Sequence, residues 1–328
     1  MKLILDKNLK QSILYLKKEK PEVEKISSKI LFTGLDDAGK TSIILSLQRE
    51  FSKIAVLSPT RGAQRRIFDF LGKEISEWDL GGQTAYRISY LKNPDKYFDG
   101  TEIAIYVIDI QNKPRIPEAI SYFKDVIEQF NKLEIEPPVY VFLHKYDPAL
   151  KRSALNEMEN LIVDLKQLVR SATDYKKIYF YDTSIYDFST IISAMSEILL
   201  SLYPKSELIE KTIIEFAKKI NSSGVVVIDD NSLIIGSYYK DDETRHLLTA
   251  STPYFLVLSD NLQYTGVQEN RFEERMIVQR FGKNFIFKEI SLKKSKTHYY
   301  LLLLKDDPVF HKEDFETFAE ILKEILFK

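Results

Sequence analysis

The sequence predicts an α/β fold, in which a mostly parallel sheet of six strands is followed by a smaller α/β domain. Strand-like and helical patterns alternate from residue 29 to about residue 203, as they do in parallel sheets. A glycine-rich loop, GLDDAGKT, lies between the first strand and the first helix. After Pro204 the order of elements changes, which indicates a second domain.

Apolar runs and helical spacing give the elements of the first part in order. Gly72 separates the second and third strand-like segments, so these two are predicted to form a hairpin, the one antiparallel pair. The strand-like segments are 29–33, 65–70, 74–79, 102–110, 138–143 and 177–182. The helical segments are 40–51, 84–92, 115–132, 153–171 and 187–202.

The loop at residues 34–41 matches the pattern G-x-x-x-x-G-K-[ST], which cradles phosphate groups. Its glycines let backbone N–H groups turn toward phosphate oxygens, and the following helix N-terminus adds positive dipole. Lys40 can reach the β- and γ-phosphates, and the Thr41 hydroxyl can bind Mg²⁺. The residues assigned to the nucleotide here are Gly34, Asp36, Asp37, Ala38, Gly39, Lys40, Thr41 and Ser42.

An acidic residue and two glycines follow the third strand-like segment. Asp79 ends an apolar segment, and a carboxylate there, beside a phosphate loop, can hold Mg²⁺, usually through water. Gly82 has no side chain, so its backbone N–H can approach a γ-phosphate. Gln83, just beyond, is placed to orient an attacking water.

Recognition of the base is predicted where the strand-like segments 138–143 and 177–182 end. A carboxylate offers two acceptor oxygens, and the guanine edge offers two adjacent donors, so Asp147 is a plausible guanine selector. The stem of Lys145 can lie along the base plane. A loop after the strand at 177–182 could close its backbone over the base. The residues assigned to the base are His144, Lys145, Asp147, Ser184 and Ile185.

Five motifs in fixed order resemble those of the Ras-like small GTPases. They are GLDDAGKT, SPTRG, WDLGGQ, HKYD and DTSIYD, within residues 29–203. The first and third are similar to the Arf branch, whereas HKYD and the TSIYD loop are similar to the Rag branch. The resemblance implies a P-loop GTPase fold, GTP or GDP with Mg²⁺, and GTP hydrolysis. His144 stands where most members have Asn, and its imidazole N–H could replace the contact to guanine N7.

Thr60 corresponds by this resemblance to the switch threonine that closes onto Mg²⁺ and the γ-phosphate. It matches by its Pro-Thr-x-Gly context and its distance after Thr41. Arg61 follows it, whereas a cis arginine finger precedes the threonine in this family, so Arg61 is interpreted as a surface or partner-contact residue. The expected catalytic residues are Lys40, Thr60 and Gln83, and the expected metal residues are Thr41, Thr60 and Asp79.

Composition agrees with a soluble, two-domain cytosolic protein. The 328 residues exceed the usual size of one core, and 44% are hydrophobic. With no cysteine, disulfides and Cys-ligated zinc are excluded. A net charge of −1 gives no general attraction to nucleic acid. No apolar run approaches the roughly 18 residues of a membrane span.

Residues 1–28 are predicted to form a helical N-terminal extension with interspersed lysines. Lys2 follows the initiator Met, where N-myristoylation requires glycine, so direct membrane insertion is not expected. Packing on the protein's own body or on a partner is favoured.

Residues 204–328 are predicted to run helix, two strands, helix, three strands, helix. This order resembles the roadblock/longin-type domain that follows the GTPase domain, residues 29–203 here, in Rag proteins. The resemblance implies a homo- or heterodimer through residues 204–328, activating and exchange factors, and a cytoplasmic location with recruitment to membranes through partners.

Two other functions stay open at this point. One is a nucleotide-bound assembly scaffold that does not hydrolyse GTP. The other is a P-loop phosphotransferase acting on ATP, for which the sequence offers no lid segment or acceptor-binding residues.

Overall fold

Two β-sheets organise the chain, and helices cover their faces. The computed structural model describes residues 27–264, 275–280, 282–290, 297–309 and 311–327. The predicted helical extension, residues 1–28, lies outside the described part except for residues 27 and 28, and Ser28 already belongs to the first strand.

The first sheet has six strands in the order β2-β3-β1-β4-β5-β6. Only β2 and β3 pair antiparallel, and every other neighbouring pair is parallel. The α/β fold class, with its single hairpin, is therefore confirmed. The strands are β1 (Ser28–Gly34), β2 (Ala63–Phe70), β3 (Lys73–Leu80), β4 (Thr101–Asp109), β5 (Val139–His144) and β6 (Ile178–Thr183).

Helices connect these strands and cover both faces of the sheet. None of the helices in the described ranges has the length and apolar character needed to cross a membrane. The helices are α1 (Lys40–Leu47), α2 (Phe51–Ile54), α3 (Thr84–Lys92), α4 (Pro94–Tyr97), α5 (Ile116–Lys132), α6 (Pro148–Ser153), α7 (Leu155–Ser171) and α8 (Phe188–Leu200).

The helix after the phosphate loop ends earlier than the sequence predicts. Arg49 has a φ of 57°, a left-handed conformation that a continuing α-helix cannot contain. The N–H of Glu50 donates to the carbonyl of Leu45, and the N–H of Arg49 donates to that of Ser46. This pattern caps the C-terminus of α1 and separates it from α2.

Burial on both faces explains why the central strands are apolar throughout. In β4, Ile105 and Val107 lie in a core shared with Ile43 of α1. Tyr106 faces the opposite core, where it contacts Phe123 of α5 with ring centroids 5.1 Å apart. Each fully buried large apolar side chain contributes about 1.5–3 kcal/mol. This rigid sheet fixes the loops at its carboxyl edge.

The second sheet is antiparallel, with the order β8-β7-β11-β10-β9. Val225 and Val227 of β7 pack in the core formed with α9 and α11, whereas Val226 and Ile228 pack against α10. The predicted element order is confirmed. The elements are α9 (Ser206–Lys219), β7 (Gly224–Asp229), β8 (Ile234–Tyr239), α10 (Asp242–Tyr264), β9 (Arg275–Arg280), β10 (Lys283–Ile290), β11 (Tyr299–Lys305) and α11 (Lys312–Phe327).

Polar contacts join the first part of the chain to the second sheet. The N–H of Ile234 donates to Ser196 Oγ at 2.8 Å. The guanidinium of Arg49 donates to the carboxylate of Asp260 and to the carbonyl of Asp230, both at 2.6 Å. The boundary predicted at residue 204 falls in the link between α8 and α9, and it stays a prediction.

Candidate functional site

Most of the predicted phosphate and metal residues line one cavity of about 220 Å³ at the carboxyl edge of the first sheet. This is the edge at which open α/β sheets bind ligands. The side chain of Ile185 packs against the apolar core. The predicted residues outside the lining are Gly34, Ala38, Asp79, His144, Asp147, Ser184 and Ile185. The predicted residues in the lining are Asp36, Asp37, Gly39, Lys40, Thr41, Ser42, Thr60, Gly82, Gln83 and Lys145.

The ammonium of Lys40 lies inside the phosphate loop. Its side chain is buried, and Nζ donates to the carbonyls of Gly34 at 3.1 Å and Leu35 at 2.6 Å. An ammonium has three N–H donors, so these two bonds leave one for a ligand. Burial lowers the pKa of Lys40 to about 8, because the cation has lost water. The negative charge of a bound polyphosphate would stabilise the ammonium form of Lys40.

Three oxygen atoms from separate segments meet beside Lys40. Thr41 Oγ1 lies 2.6 Å from Thr60 Oγ1 and donates to Asp79 Oδ2 at 2.5 Å. Thr60 Oγ1 lies 3.4 Å from the same carboxylate oxygen. The other oxygen, Asp79 Oδ1, is buried without a hydrogen-bond partner among the described residues. A buried carboxylate oxygen of this kind calls for a cation or water.

Two hydroxyl oxygens and one carboxylate form a set that fits Mg²⁺ in a nucleotide site. Within the described residues there is no group of three or more His, Asp or Glu side chains that could hold a metal alone. Mg²⁺ in nucleotide sites takes one or two protein oxygens together with phosphates and water. Thr41, Thr60 and Asp79 are the residues that would hold it.

Gly82 lets the segment after β3 lie directly on the phosphate loop. A Cβ on Gly82 would lie only 2.0 Å from the backbone nitrogen of Asp36. Gln83 follows at the N-terminus of α3, and it borders the same cavity as Thr60. Arg61 is exposed and does not line the cavity.

The imidazole of His144 packs against the phosphate loop at Gly39. It is 1% exposed, and its Nδ1 lies 2.9 Å from Thr183 Oγ1. A Cβ on Gly39, which has a φ of 99°, would lie 2.5 Å from the imidazole Cδ2. Burial lowers the pKa of His144 to about 3, so the ring is neutral. The expected contact to guanine N7 stays a prediction.

Asp147 follows the carboxyl end of β5, and its carboxylate is held from two sides. Its Oδ1 accepts from Ser184 Oγ at 2.5 Å, and its Oδ2 accepts from Gln111 Nε2 at 2.7 Å. Lys145 Nζ forms an ion pair with Asp109 at 2.8 Å. Asp109, at the carboxyl end of β4, thus holds the side chain of Lys145, a predicted base-binding residue.

A network of charged side chains contacts the phosphate loop, and no sequence motif marks these residues. Arg115 Nη2 donates to Asp36 Oδ1 at 2.8 Å, and its Nη1 donates to the Asp36 carbonyl at 3.3 Å. Glu118 accepts from Arg115 and also from Arg87 of α3. These residues escaped the sequence reasoning because tertiary folding, not spacing, brings them to the loop.

The chain is similar to known nucleotide-binding proteins. It matches the family described as the Gtr1/RagA G protein conserved region over residues 29–262. It is 28% identical over 217 residues to Ras-related GTP-binding protein A of Dictyostelium discoideum, covering 64% of this chain and 69% of that protein. It is 34% identical over 120 residues to ADP-ribosylation factor-like protein 3 of Chlamydomonas reinhardtii, covering 37% of this chain and 63% of that protein.

The chain also matches a solved structure of the Arl6 (BBS3) small GTPase of Trypanosoma brucei with the bound nucleotide analogue GppNp. It gives a TM-score of 0.42 at 18% identity, covering 54% of this chain and 97% of that chain.

Proposed function

The chain belongs to the Gtr1/RagA G protein family, and from that premise we propose that it is a GTP- and GDP-binding switch that uses Mg²⁺. The Rag-like resemblance drawn from its motifs is confirmed. The observation that carries the proposal is the meeting of Thr41, Thr60 and Asp79 oxygens beside the Lys40 ammonium. A GTPase of this family hydrolyses GTP, and we infer that turnover is slow without an activating partner.

Each residue of the cavity has a defined part in this proposal. Lys40 neutralises phosphate charge, and the backbone N–H of Gly82 meets the γ-phosphate. Gln83 orients the attacking water, and Thr60 closes onto the site only when the γ-phosphate is present. Mg²⁺ supplies charge neutralisation on the phosphate oxygens when bound. Since no covalent intermediate is needed, positioning and electrostatics supply the catalysis.

Replacing Gln83 by Leu tests the hydrolytic role. We expect Gln83→Leu to keep GTP bound while single-turnover phosphate release falls, because leucine cannot orient water. Gln167→Leu, on the exposed side of α7, is the matched control and should behave like the wild type. Equal rates for Gln83→Leu and the wild type would remove Gln83 from the mechanism. Absent phosphate release from the wild type, despite bound GTP, would instead favour the non-hydrolysing scaffold.

We also place dimerisation in residues 204–328. The edge strand β9 supports this, because its side chains Ile277 and Val278 are 42% and 40% exposed. An edge strand with apolar side chains can pair with another chain. Partners of the switch would be activating and exchange factors, in the cytoplasm.

Mass in solution tests the dimer. We expect a dimer for the chain alone or with a related subunit, and a shift toward monomer in Ile277→Lys. Val163→Lys, at a 61% exposed position on α7, is the matched control. A dimer that Ile277→Lys leaves intact would place the interface elsewhere.

A further inference from the structure

Gln111 holds the carboxylate expected to select guanine. It follows the carboxyl end of β4, and its side-chain amide donates one hydrogen bond to Asp147 Oδ2 at 2.7 Å and one to the Lys145 carbonyl at 2.8 Å. Both N–H groups of the amide are therefore used within the base-recognition segment. No sequence motif assigned Gln111 to the site.

Gln111 is itself held in place by a second carboxylate. Its backbone N–H donates to Asp109 Oδ1 at 2.9 Å, while Asp109 Oδ2 accepts from Lys145 Nζ at 2.8 Å. Asp109 and Gln111 thus contact Lys145 at both its side chain and its carbonyl. This matters because Lys145 has a φ of 66°, a left-handed conformation that is unfavourable for residues other than glycine.

The Asp147 carboxylate has lone pairs left for guanine while it accepts hydrogen bonds from Gln111 and Ser184. An ionised carboxylate has about four lone-pair positions. Ser184 occupies one on Oδ1, and Gln111 occupies one on Oδ2. About two positions remain, one on each oxygen, and guanine presents two adjacent N–H donors. The carboxylate can therefore keep both protein donors while it binds the base.

We infer that Gln111 is a positioning residue for base selection, which presents the Asp147 carboxylate to a guanine nucleotide without touching the base. This inference rests on the proposed guanine-nucleotide function. Gln111 and Ser184 approach different oxygens, and so fix the rotation of the carboxylate plane. Without Gln111 the carboxylate can turn, and the discrimination against bases that lack the two donors becomes weaker.

The test measures dissociation constants of the full chain for GDP and ADP in Gln111→Met and Gln111→Glu. Methionine keeps the length of the side chain but donates no hydrogen bond. Glutamate keeps the shape, and places a second negative charge beside Asp147. We expect the preference for GDP over ADP to fall about tenfold in Gln111→Met and further in Gln111→Glu, with ADP affinity unchanged. Lys113→Met is the matched control, since Lys113 pairs only with the exposed Glu157 among the described residues.

Three results would overturn the inference. Equal losses for GDP and ADP would show that Gln111 only supports the fold. Tighter GDP binding in Gln111→Met would show that the amide competes with the base. An unchanged preference would show that the carboxylate needs no such support. A wild type and control that both fail to prefer GDP would instead contradict the proposed function, and the inference would fall with it.

Discussion

The ion pair of Arg115 with Asp36 should determine how well the phosphate loop accepts a polyphosphate. Asp36 lines the phosphate cavity, where a carboxylate would repel the ligand unless its charge is neutralised. Burial raises the pKa of Asp36, but the bond and charge of Arg115 outweigh this, and the pKa lies below its ordinary value. Asp36 is therefore ionised at neutral pH. Replacing Arg115 by Met should expose the ligand to this charge.

The size of the effect follows from the contact. The bond forms with or without nucleotide, so GDP affinity changes by the charge repulsion that Arg115 offsets, and two unit charges about 4 Å apart interact by about 1–4 kcal/mol between water and a protein surface. Both side chains are 30% exposed, so solvent screening reduces this to about 1–2 kcal/mol. That corresponds to about a 5- to 30-fold loss of GDP affinity in Arg115→Met.

A double-mutant cycle measures the coupling directly. GDP dissociation constants would be measured for the wild type, Arg115→Met, Asp36→Ala and the double variant at fixed Mg²⁺ and salt. Because Asp36→Ala removes the repelling charge, the double variant should bind GDP nearly as well as Asp36→Ala alone. Lys132→Met, which breaks an exposed pair on α5, is the control. Strictly additive losses would refute the argument.

Three further predictions concern Gly39, His144 and Lys40. Gly39→Ala places a Cβ at a φ of 99° against the imidazole of His144, and should lower stability by about 1–3 kcal/mol in urea unfolding; an unchanged midpoint would contradict this. The pKa of His144 is about 3 in the folded chain, against an ordinary 6.5. Between these two values the unfolded chain binds a proton that the folded chain does not, so the free energy of unfolding falls as the pH drops from about 6.5 to about 3. His144→Asn should flatten that part of the stability curve by up to ~5 kcal/mol, and a curve parallel to that of the wild type would count against it. Because the pKa of Lys40 is about 8, GDP affinity should weaken as pH rises above it, and Lys40→Met should bind GDP weakly at every pH.

Motifs confined to a few consecutive residues could be predicted from the sequence. The phosphate loop, Asp79 and the end of β5 depend on local strand–loop–helix order, which the apolar pattern of the chain indicates. The edge at which they meet follows because parallel strands end on one side of a sheet.

Contacts between distant segments could not be predicted in the same way. Gln111 and Arg115 reach the site from the link between β4 and α5, and no spacing rule marks them. The packing of His144 against the phosphate loop depends on the left-handed φ of Gly39, which only the folded loop shows. The early end of α1 at Arg49 was missed because a non-glycine residue adopts the left-handed cap.

Analysis of the nucleotide released when the purified chain is denatured tests the central claim most directly. The convergence of Lys40, Thr41 and Asp79 with Asp147 at one sheet edge predicts GDP or GTP in near one-to-one ratio, displaced by added GDP and not by ADP. An adenine nucleotide in that fraction, or displacement of the bound nucleotide by ADP, would contradict it.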